Sequence, residues 1–294
     1  MVGSAVWRAL VAAGHQAVVG LSSDALDLRE RSDVFDFYHE QRPEFVVMAA
    51  AKVGGIMANW QHPVEFLSDN VRMQTNVLDA AHAAGVRRLL LMGSSCIYPK
   101  MAAQPIVESS LLTGALEPTN EAYAIAKITG VLHVQALRRQ YGCKFVSAMP
   151  TNLYGTGDNF DPASSHVLPA MIQKFHEAKM SDAHEVVLWG TGTPRREFLH
   201  VDDLASATLM LLGRYDEDAP INVGTGVDLT ISELAACVQE VTGFSGRVRW
   251  DVTKPDGTPR KLLDVSRLKA LGWSPTIPLR RGITEVYRWY RECA

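Results

Sequence analysis

Two short words in the chain carry reactive side chains at spacings that chemistry can use. Tyr123-Ala-Ile-Ala-Lys127 sits in a stretch whose apolar pattern predicts a helix over Asn120–Gln140, and residues four apart share a helix face. A free phenol has a pKa near 10, so only about 0.1% is ionised at neutral pH and proton transfer through it is slow. An ammonium about 4 Å away, at an effective dielectric near 20, is worth roughly 4 kcal/mol. At about 1.36 kcal/mol per pKa unit, that predicts a Tyr123 phenol drawn toward neutrality by Lys127. A lone Tyr-x-x-x-Lys more often marks a surface lysine and a buried tyrosine that merely share a helix. Here the pair lies one helix beyond a predicted strand, Leu89–Met92, that runs into Gly93-Ser94-Ser95-Cys96, and that placement favours chemistry. Taken alone, Cys96 is as well explained by an inert buried thiol, and His166 in Ser164-Ser165-His166 by a solvated or capping imidazole.

The elements that must hold these residues alternate. Helical patterns fall near Ser4–Ala13 (stopped by Gly14), Ser32–Glu40 and from Pro63 to about Gly85; strand patterns fall near Ala17–Leu21, Phe45–Ala51 and Phe145–Met149. Such alternation implies βαβ units: an α/β, Rossmann-like, doubly wound parallel sheet. After Pro150 the rhythm breaks into Gly-, Pro-, Asn- and Ser-rich loops, the start of a smaller α/β lobe. The expected division is residues 1–152 plus about 199–223 for a nucleotide-binding part, and about 153–198 plus 224–294 for a substrate-binding part. Such a sheet normally opens with a central strand and a glycine-rich turn beneath a pyrophosphate. This chain enters a helix directly after Met1-Val2-Gly3, so its first strand is missing, and an upstream start is the expectation. Arg8 inside the opening apolar stretch argues for an amphipathic helix there, against a signal peptide.

Composition narrows the classes. The 294 residues are 47% apolar and 21% charged with a formal net charge of −3, which fits a folded domain and not a generally basic nucleic-acid or membrane binder. The longest apolar run, Phe45–Ala51, is too short to span a bilayer. Four separated cysteines without a CxxC pair predict no metal site and a reducing, cytoplasmic setting. Three Gly-Thr-Gly words (155–157, 190–192, 224–226) continue into no phosphate-loop pattern and read as turns.

Ser94 with Tyr123 and Lys127 resembles the catalytic set of the short-chain dehydrogenase/reductases, in their extended, sugar-nucleotide-modifying branch. The words AAAKVGGI (49–56), GSSCIYPK (93–100), EPTNEAYAIAK (117–127), MPTNLYG (149–155), REFLHVDD (196–203) and KPDGTPRKLLDV (254–265) are similar to those of the GDP-L-fucose synthase family. The likeness runs from Val2 almost to the C-terminus. It implies a homodimeric, NADPH-dependent enzyme that epimerises C3 and C5 of GDP-4-keto-6-deoxy-D-mannose and reduces C4. Carried over by position, Tyr123 is the general acid at the C4 oxygen, Lys127 tunes it and holds the nicotinamide ribose, and Ser94 bonds the same oxygen. Cys96 and His166 correspond to the epimerisation base and acid. Cofactor contacts fall on Gly3, Ser23, Asp27, Leu28, Gly93, Ser94, Lys127, Pro150, Thr151, Asn152, Leu153 and His166.

For the GDP-sugar the resemblance implies Lys174, Trp189, Arg196, Asp256 and Lys261, with Arg196 and Lys261 suited to the diphosphate. Trp189 is equally explained as a core indole, and Asp27 as a helix cap. The chain departs from the family at Ser23, where a basic residue for the 2′-phosphate is expected; Arg29 is a nearby substitute. Two rival readings are another sugar-nucleotide epimerase or dehydratase of this fold and a catalytically silent Rossmann-like binding or regulatory protein. A dehydratase would be expected to offer an acidic pair where Ser95-Cys96 stand, and the complete polar set argues against silence.

Overall fold

The alternation expected of the first half is present, in segments whose limits follow local chemistry. The computed structural model describes residues 1–161, 164–254 and 256–293, so Pro255 of the 254–265 word lies outside the described residues. In chain order come α1 (Val2–Ala12), α2 (Arg31–Gln41), β1 (Phe45–Met48), α3 (Ile56–Gln61), α4 (Pro63–Ala83), β2 (Arg88–Met92), α5 (Glu121–Tyr141) and β3 (Lys144–Pro150). Pro63 opens α4, where its missing N–H costs nothing. Gly142 closes α5 at φ 69°, its N–H bonded to the Arg138 carbonyl, a conformation that glycine adopts without a Cβ clash.

β1, β2, β3 and the later β7 (Ile221–Val223) form one parallel sheet in the order β1-β2-β3-β7. Alternate side chains of β2 explain why it is apolar from Leu89 to Met92. Leu89 and Leu91 face a layer containing Val34 and Tyr38 of α2, Val77 and Leu78 of α4 and Val134 of α5. Leu90 and Met92 face the opposite layer, with Leu204, Ala207 and Leu211 of α7 (Val201–Arg214). Helices thus cover both faces, which is the doubly wound arrangement. Ala5 and Val6 of α1 pack on Val201 and Ala205 of α7.

Residues 17–21 correct one expectation: they form no strand, and Val19 and Leu21 are exposed. A β-rich run becomes a strand only where a neighbour completes its ladder, and in this sheet β1 is the terminal member. β1 itself stops at Met48, short of the expected Ala51.

The second half carries two smaller sheets. One joins β10 (Arg260–Lys261), β6 (Arg195–His200) and β4 (Asn152–Tyr154), with β8 (Asp228–Thr230) antiparallel to β6; the other pairs β5 (Glu185–Trp189) with β9 (Arg247–Asp251). Their core is Leu168, Ile172 and Phe175 of α6 (Val167–Met180), Leu234 and Val238 of α8 (Ile231–Thr242), and Ile283 and Val286 of α10 (Leu279–Cys293).

Two buried carboxylates hold distant segments of the second half together. Asp203 accepts from Thr276 and Ile277 backbone N–H groups at 3.0 Å each. Glu197 accepts from the N–H groups of Gly226 (2.7 Å) and Leu263 (3.1 Å), and so secures the segment beyond β10.

Candidate active site

The site forms where β2 ends. Gly93 donates its N–H to the Ala148 carbonyl at 2.8 Å, and a Cβ at this position would displace the end of the Met149 side chain and stand 3.1 Å from the Ala148 carbonyl oxygen, a tight fit that glycine relieves. The chain then turns through Ser95–Ile97, a single 3₁₀ turn capped by Ser94, whose Oγ accepts the Cys96 N–H at 3.2 Å. The Cys96 sulfur receives two further donors, Asn120 Nδ2 at 3.3 Å and Lys261 Nζ at 3.4 Å. Burial pushes the thiol pKa up. The Lys261 charge and the bonds from Ser94, Lys261 and Asn120 outweigh it, and the net shift is downward.

Tyr123 and Lys127 do lie on one face of α5, but their electrostatics differ from the sequence expectation. Lys127 Nζ donates to the Met92 carbonyl at 2.8 Å and stands 5.9 Å from the Tyr123 ring centroid. Burial lowers the Lys127 pKa to about 8. Burial raises that of Tyr123, the neighbouring Cys96 adds to the rise, and the Ser94 hydroxyl offsets part of it. The phenol is therefore not drawn to neutrality by Lys127; the desolvation of both groups outweighs the Coulomb attraction. A fully protonated Tyr123 suits a proton donor.

His166 occupies the N-cap of α6 without a side-chain capping bond, and its imidazole is exposed, although the surrounding protein still lowers its pKa by desolvation. Its loop is tied to the 49–56 word: Gly55 donates to the Ser164 carbonyl at 3.0 Å, and a Cβ on Gly55 would sit 2.8 Å from the Ser165 carbonyl oxygen.

The expected sugar-nucleotide contacts separate into groups. Lys261 and Arg196 are register partners on β10 and β6, two cations side by side. Arg196 is desolvated, with Cys96, Glu117 and Asp256 as its compensating charges. Lys261 Nζ lies against the Cys96 sulfur as well as beside Arg196. Asp256 grips the turn at Gly190-Thr191-Gly192, accepting from Thr191 N (2.7 Å) and Thr191 Oγ1 (2.8 Å), which makes that word a turn. Trp189 is 53% exposed, not a core indole, and lies between two ammonium groups, Lys174 Nζ 5.5 Å and Lys254 Nζ 5.6 Å from the ring. Lys174 also donates to the Val187 carbonyl at 3.2 Å.

On the expected cofactor side, Pro150-Thr151-Asn152-Leu153 runs from the carboxyl end of β3 into β4, next in the sheet to Gly93 and Ser94. Thr151 Oγ1 and Asn152 Nδ2 donate to the Glu197 carbonyl at 3.2 and 2.8 Å. Gly3 lies within α1, and Ser23 is exposed in a turn. Asp27 does not cap α2, whose N-cap is Glu30. It binds Arg29 through the backbone N–H (2.9 Å) and the guanidinium (2.6 Å), which holds its carboxyl at a pKa of about 2. Arg29 also lies 3.6 Å from Asp69, so it is held by carboxylates instead of standing free for a phosphate. Leu28 packs against the α2/α4 layer, and its carbonyl accepts Asn76 Nδ2 at 3.0 Å.

Asn120 and Lys254 were not singled out by the sequence, although both stand inside the motif words; Asn120 is one helical turn before Tyr123. Among the described residues no group of three or more His, Cys, Asp or Glu side chains suits a metal ion, and no helix is long and apolar enough to cross a membrane.

A parallel α/β sheet with polar groups gathered at its strand ends and a Tyr/Lys pair on the adjoining helix is the arrangement of a dinucleotide-dependent enzyme. The pattern of the NAD dependent epimerase/dehydratase family matches residues 1–224, and the chain belongs to that family. Over 99% of its length it is 57% identical to the probable GDP-L-fucose synthase 1 of Oryza sativa subsp. japonica, covering 89% of that protein. Identity to the GDP-L-fucose synthase of Escherichia coli (strain K12) is 50%, over 99% of this chain and 94% of that one. A solved GDP-mannoheptose C4 reductase from Campylobacter jejuni with NADP bound superposes with a TM-score of 0.91 at 33% identity, covering 99% of this chain and 95% of that chain. Within the family, the chain's group is that of the GDP-L-fucose synthases.

Proposed function

We propose that this chain converts GDP-4-keto-6-deoxy-D-mannose to GDP-L-fucose by inverting C3 and C5 and then reducing C4. The observation that carries this reading is the convergence of two proton-handling groups on Ser94: Cys96, polarised by Lys261, and Tyr123, fully protonated. A ketone at C4 acidifies the C–H bonds on either side of it. The Cys96 thiolate takes such a proton, forming S–H, while the electron pair moves onto the C4 oxygen, where Ser94 donates a hydrogen bond. His166 returns a proton to the carbon from the other side, which inverts the centre. An imidazole whose pKa is lowered by desolvation gives up its proton more readily. Tyr123 then supplies the proton to the C4 oxygen, a downhill step because an alkoxide is far more basic than a phenolate. Arg196, Lys261, Lys174, Trp189 and Asp256 form the binding surface for the GDP portion: three cations, an exposed indole, and the carboxylate that shapes the neighbouring turn.

NADPH supplies the hydride for C4. The fit is chemical: an ammonium has three donors, and Lys127, bonded to one carbonyl, retains N–H groups for ribose hydroxyls at the carboxyl end of β2. Gly93, Ser94, His166 and residues 150–153 would hold the nicotinamide side, and Gly3, Ser23, Asp27 and Leu28 the adenosine diphosphate side. The test is incubation of the full chain with the keto-sugar and NADPH in deuterated water. Oxidation of NADPH, GDP-L-fucose as product and deuterium at C3 and C5 are expected; unchanged NADPH absorbance refutes the assignment.

The division into a cofactor part (1–152 and about 199–223) and a substrate part (about 153–198 and 224–294) is supported by the separate core layers on the large sheet and around α6, α8 and α10. A homodimer through α4 and α5 is supported by Val64, Leu67, Ile125 and Leu132, apolar side chains exposed on those two helices, and a sedimentation mass of one chain refutes it. A cytoplasmic location is supported by the free thiols of Cys96, Cys143 and Cys237.

A further inference from the structure

We infer that Asn120 and Lys261 are positioning residues for Cys96: the amide aims the sulfur and the ammonium keeps it ionised, a role for Lys261 separate from phosphate binding. The inference rests on reading Cys96 as the proton-abstracting base. Both donors reach the sulfur at hydrogen-bond distance, 3.3 Å from Asn120 Nδ2 and 3.4 Å from Lys261 Nζ. Both stand on backbone that is fixed independently of the sulfur. Lys261 lies in β10, and the residues after it are held by Leu262 N–H to Gln104 Oε1 (2.9 Å) and Leu263 N–H to Glu197 Oε2 (3.1 Å). Asn120 bonds the Glu117 carbonyl through its own N–H at 3.1 Å, and the Glu117 carboxylate is tied to Lys100 at 3.0 Å and Thr258 at 3.2 Å.

The amide has a second end. Asn120 Oδ1 is buried and has no hydrogen-bond partner, so nothing on that side fixes the amide. What selects Nδ2 for the sulfur is the sulfur's own state, because a thiolate accepts hydrogen bonds and cannot donate one. Burial alone would favour the neutral thiol. The titratable and charged groups around Cys96 come from every neighbouring element: Lys261 and Arg260 on β10, Arg196 on β6, Tyr123 on α5, and the Lys100–Glu117 pair lining the same small cavity. Arg260 is turned to Asp228, Lys100 to Glu117, and Arg196 is compensated by Glu117 and Asp256, which leaves Lys261 as the cation in direct contact with sulfur.

The test is the pH dependence of Cys96 alkylation by iodoacetamide, resolved by peptide mass spectrometry on the full chain without substrate. Lys261→Met should move the Cys96 midpoint up by about one unit or more, a roughly tenfold slower reaction at neutral pH, while Lys261→Arg keeps it near the wild-type value. Asn120→Ala should shift the midpoint less but lower solvent deuterium exchange at C3 and C5 by about tenfold, and Asn120→Asp should raise the midpoint through like-charge repulsion. Circular dichroism identifies a misfolded variant, in which case Lys261→Gln and Asn120→Leu, which remove the same charge and the same donor with other side-chain shapes, decide. A phosphate-only Lys261 and a bystander Asn120 would leave the Cys96 titration unchanged in Lys261→Met and Asn120→Ala, and that result overturns the inference. If the titration shifts but the wild-type chain shows no exchange with the keto-sugar, the proposed reaction fails and the thiolate pair stands.

Discussion

Lys127→Met should make this protein more stable at neutral pH while abolishing ketone reduction. Lys127 is 2% exposed, and burial lowers its pKa from 10.5 to about 8. At 1.36 kcal/mol per unit, carrying the proton in the folded state costs about 3 kcal/mol. Methionine fills the same volume without charge but leaves the Met92 carbonyl without its 2.8 Å donor, a loss of roughly 1–2 kcal/mol. The net expectation is a gain of about 1–2 kcal/mol, read as a higher urea midpoint. Its pH dependence is distinctive. Below pH 8 the folded and unfolded wild-type chains both hold the Lys127 proton, so the gap between variant and wild type is constant. Between about 8 and 10.5 the unfolded chain binds more protons than the folded one, so wild-type stability rises relative to the variant and the gap closes. Unfolding curves of both proteins from pH 7 to 10 test this, because titrations common to the two cancel in the difference. A variant less stable than wild type at pH 7, or a gap independent of pH, would refute the account of Lys127 as a desolvated cation held for function.

Tyr123→Phe should stop NADPH oxidation yet retain most of the deuterium exchange at C3 and C5, whereas Cys96→Ser should suppress that exchange; nuclear magnetic resonance of the recovered sugar separates the two. Exchange in the wild type should follow a bell-shaped pH profile. It needs Cys96 ionised, which is favoured as pH rises through a thiol pKa below its ordinary value, and His166 protonated, which is lost as pH rises through an imidazole pKa below 6.5. A His166 resonance titrating at or above 6.5 would contradict the second limb.

What was legible in the sequence followed local rules. The helical face shared by Tyr123 and Lys127, the glycine stops at Gly14 and Gly85, and the apolar run Leu89–Met92 each depend on residues a few positions apart, and each stands where the local pattern puts it. What was not legible depends on distant partners. Lys261 reaches Cys96 across 165 positions and Asn120 across 24, and only the pairing of β10 with β6 and the fold of α5 over the β2 end bring them together. Residues 17–21 have the composition of a strand, but a strand is a property of two segments, and one segment cannot report its neighbour. The misjudged phenol is more instructive. Assigning Lys127 a full attraction at about 4 Å treats the site as a pair of charges in a uniform medium, but the helix that aligns the pair also buries it. Burial keeps the Tyr123 proton on and weakens the hold of Lys127 on its own, so the fold stores an acid in its acidic form beside a thiol that the Lys261 cation drives toward its basic form. Opposite shifts in one pocket are what a reaction needs if it must first remove protons from carbon and then deliver one to oxygen, and this pocket obtains them by placing its contacting cation on the sulfur and leaving the phenol in a dry environment.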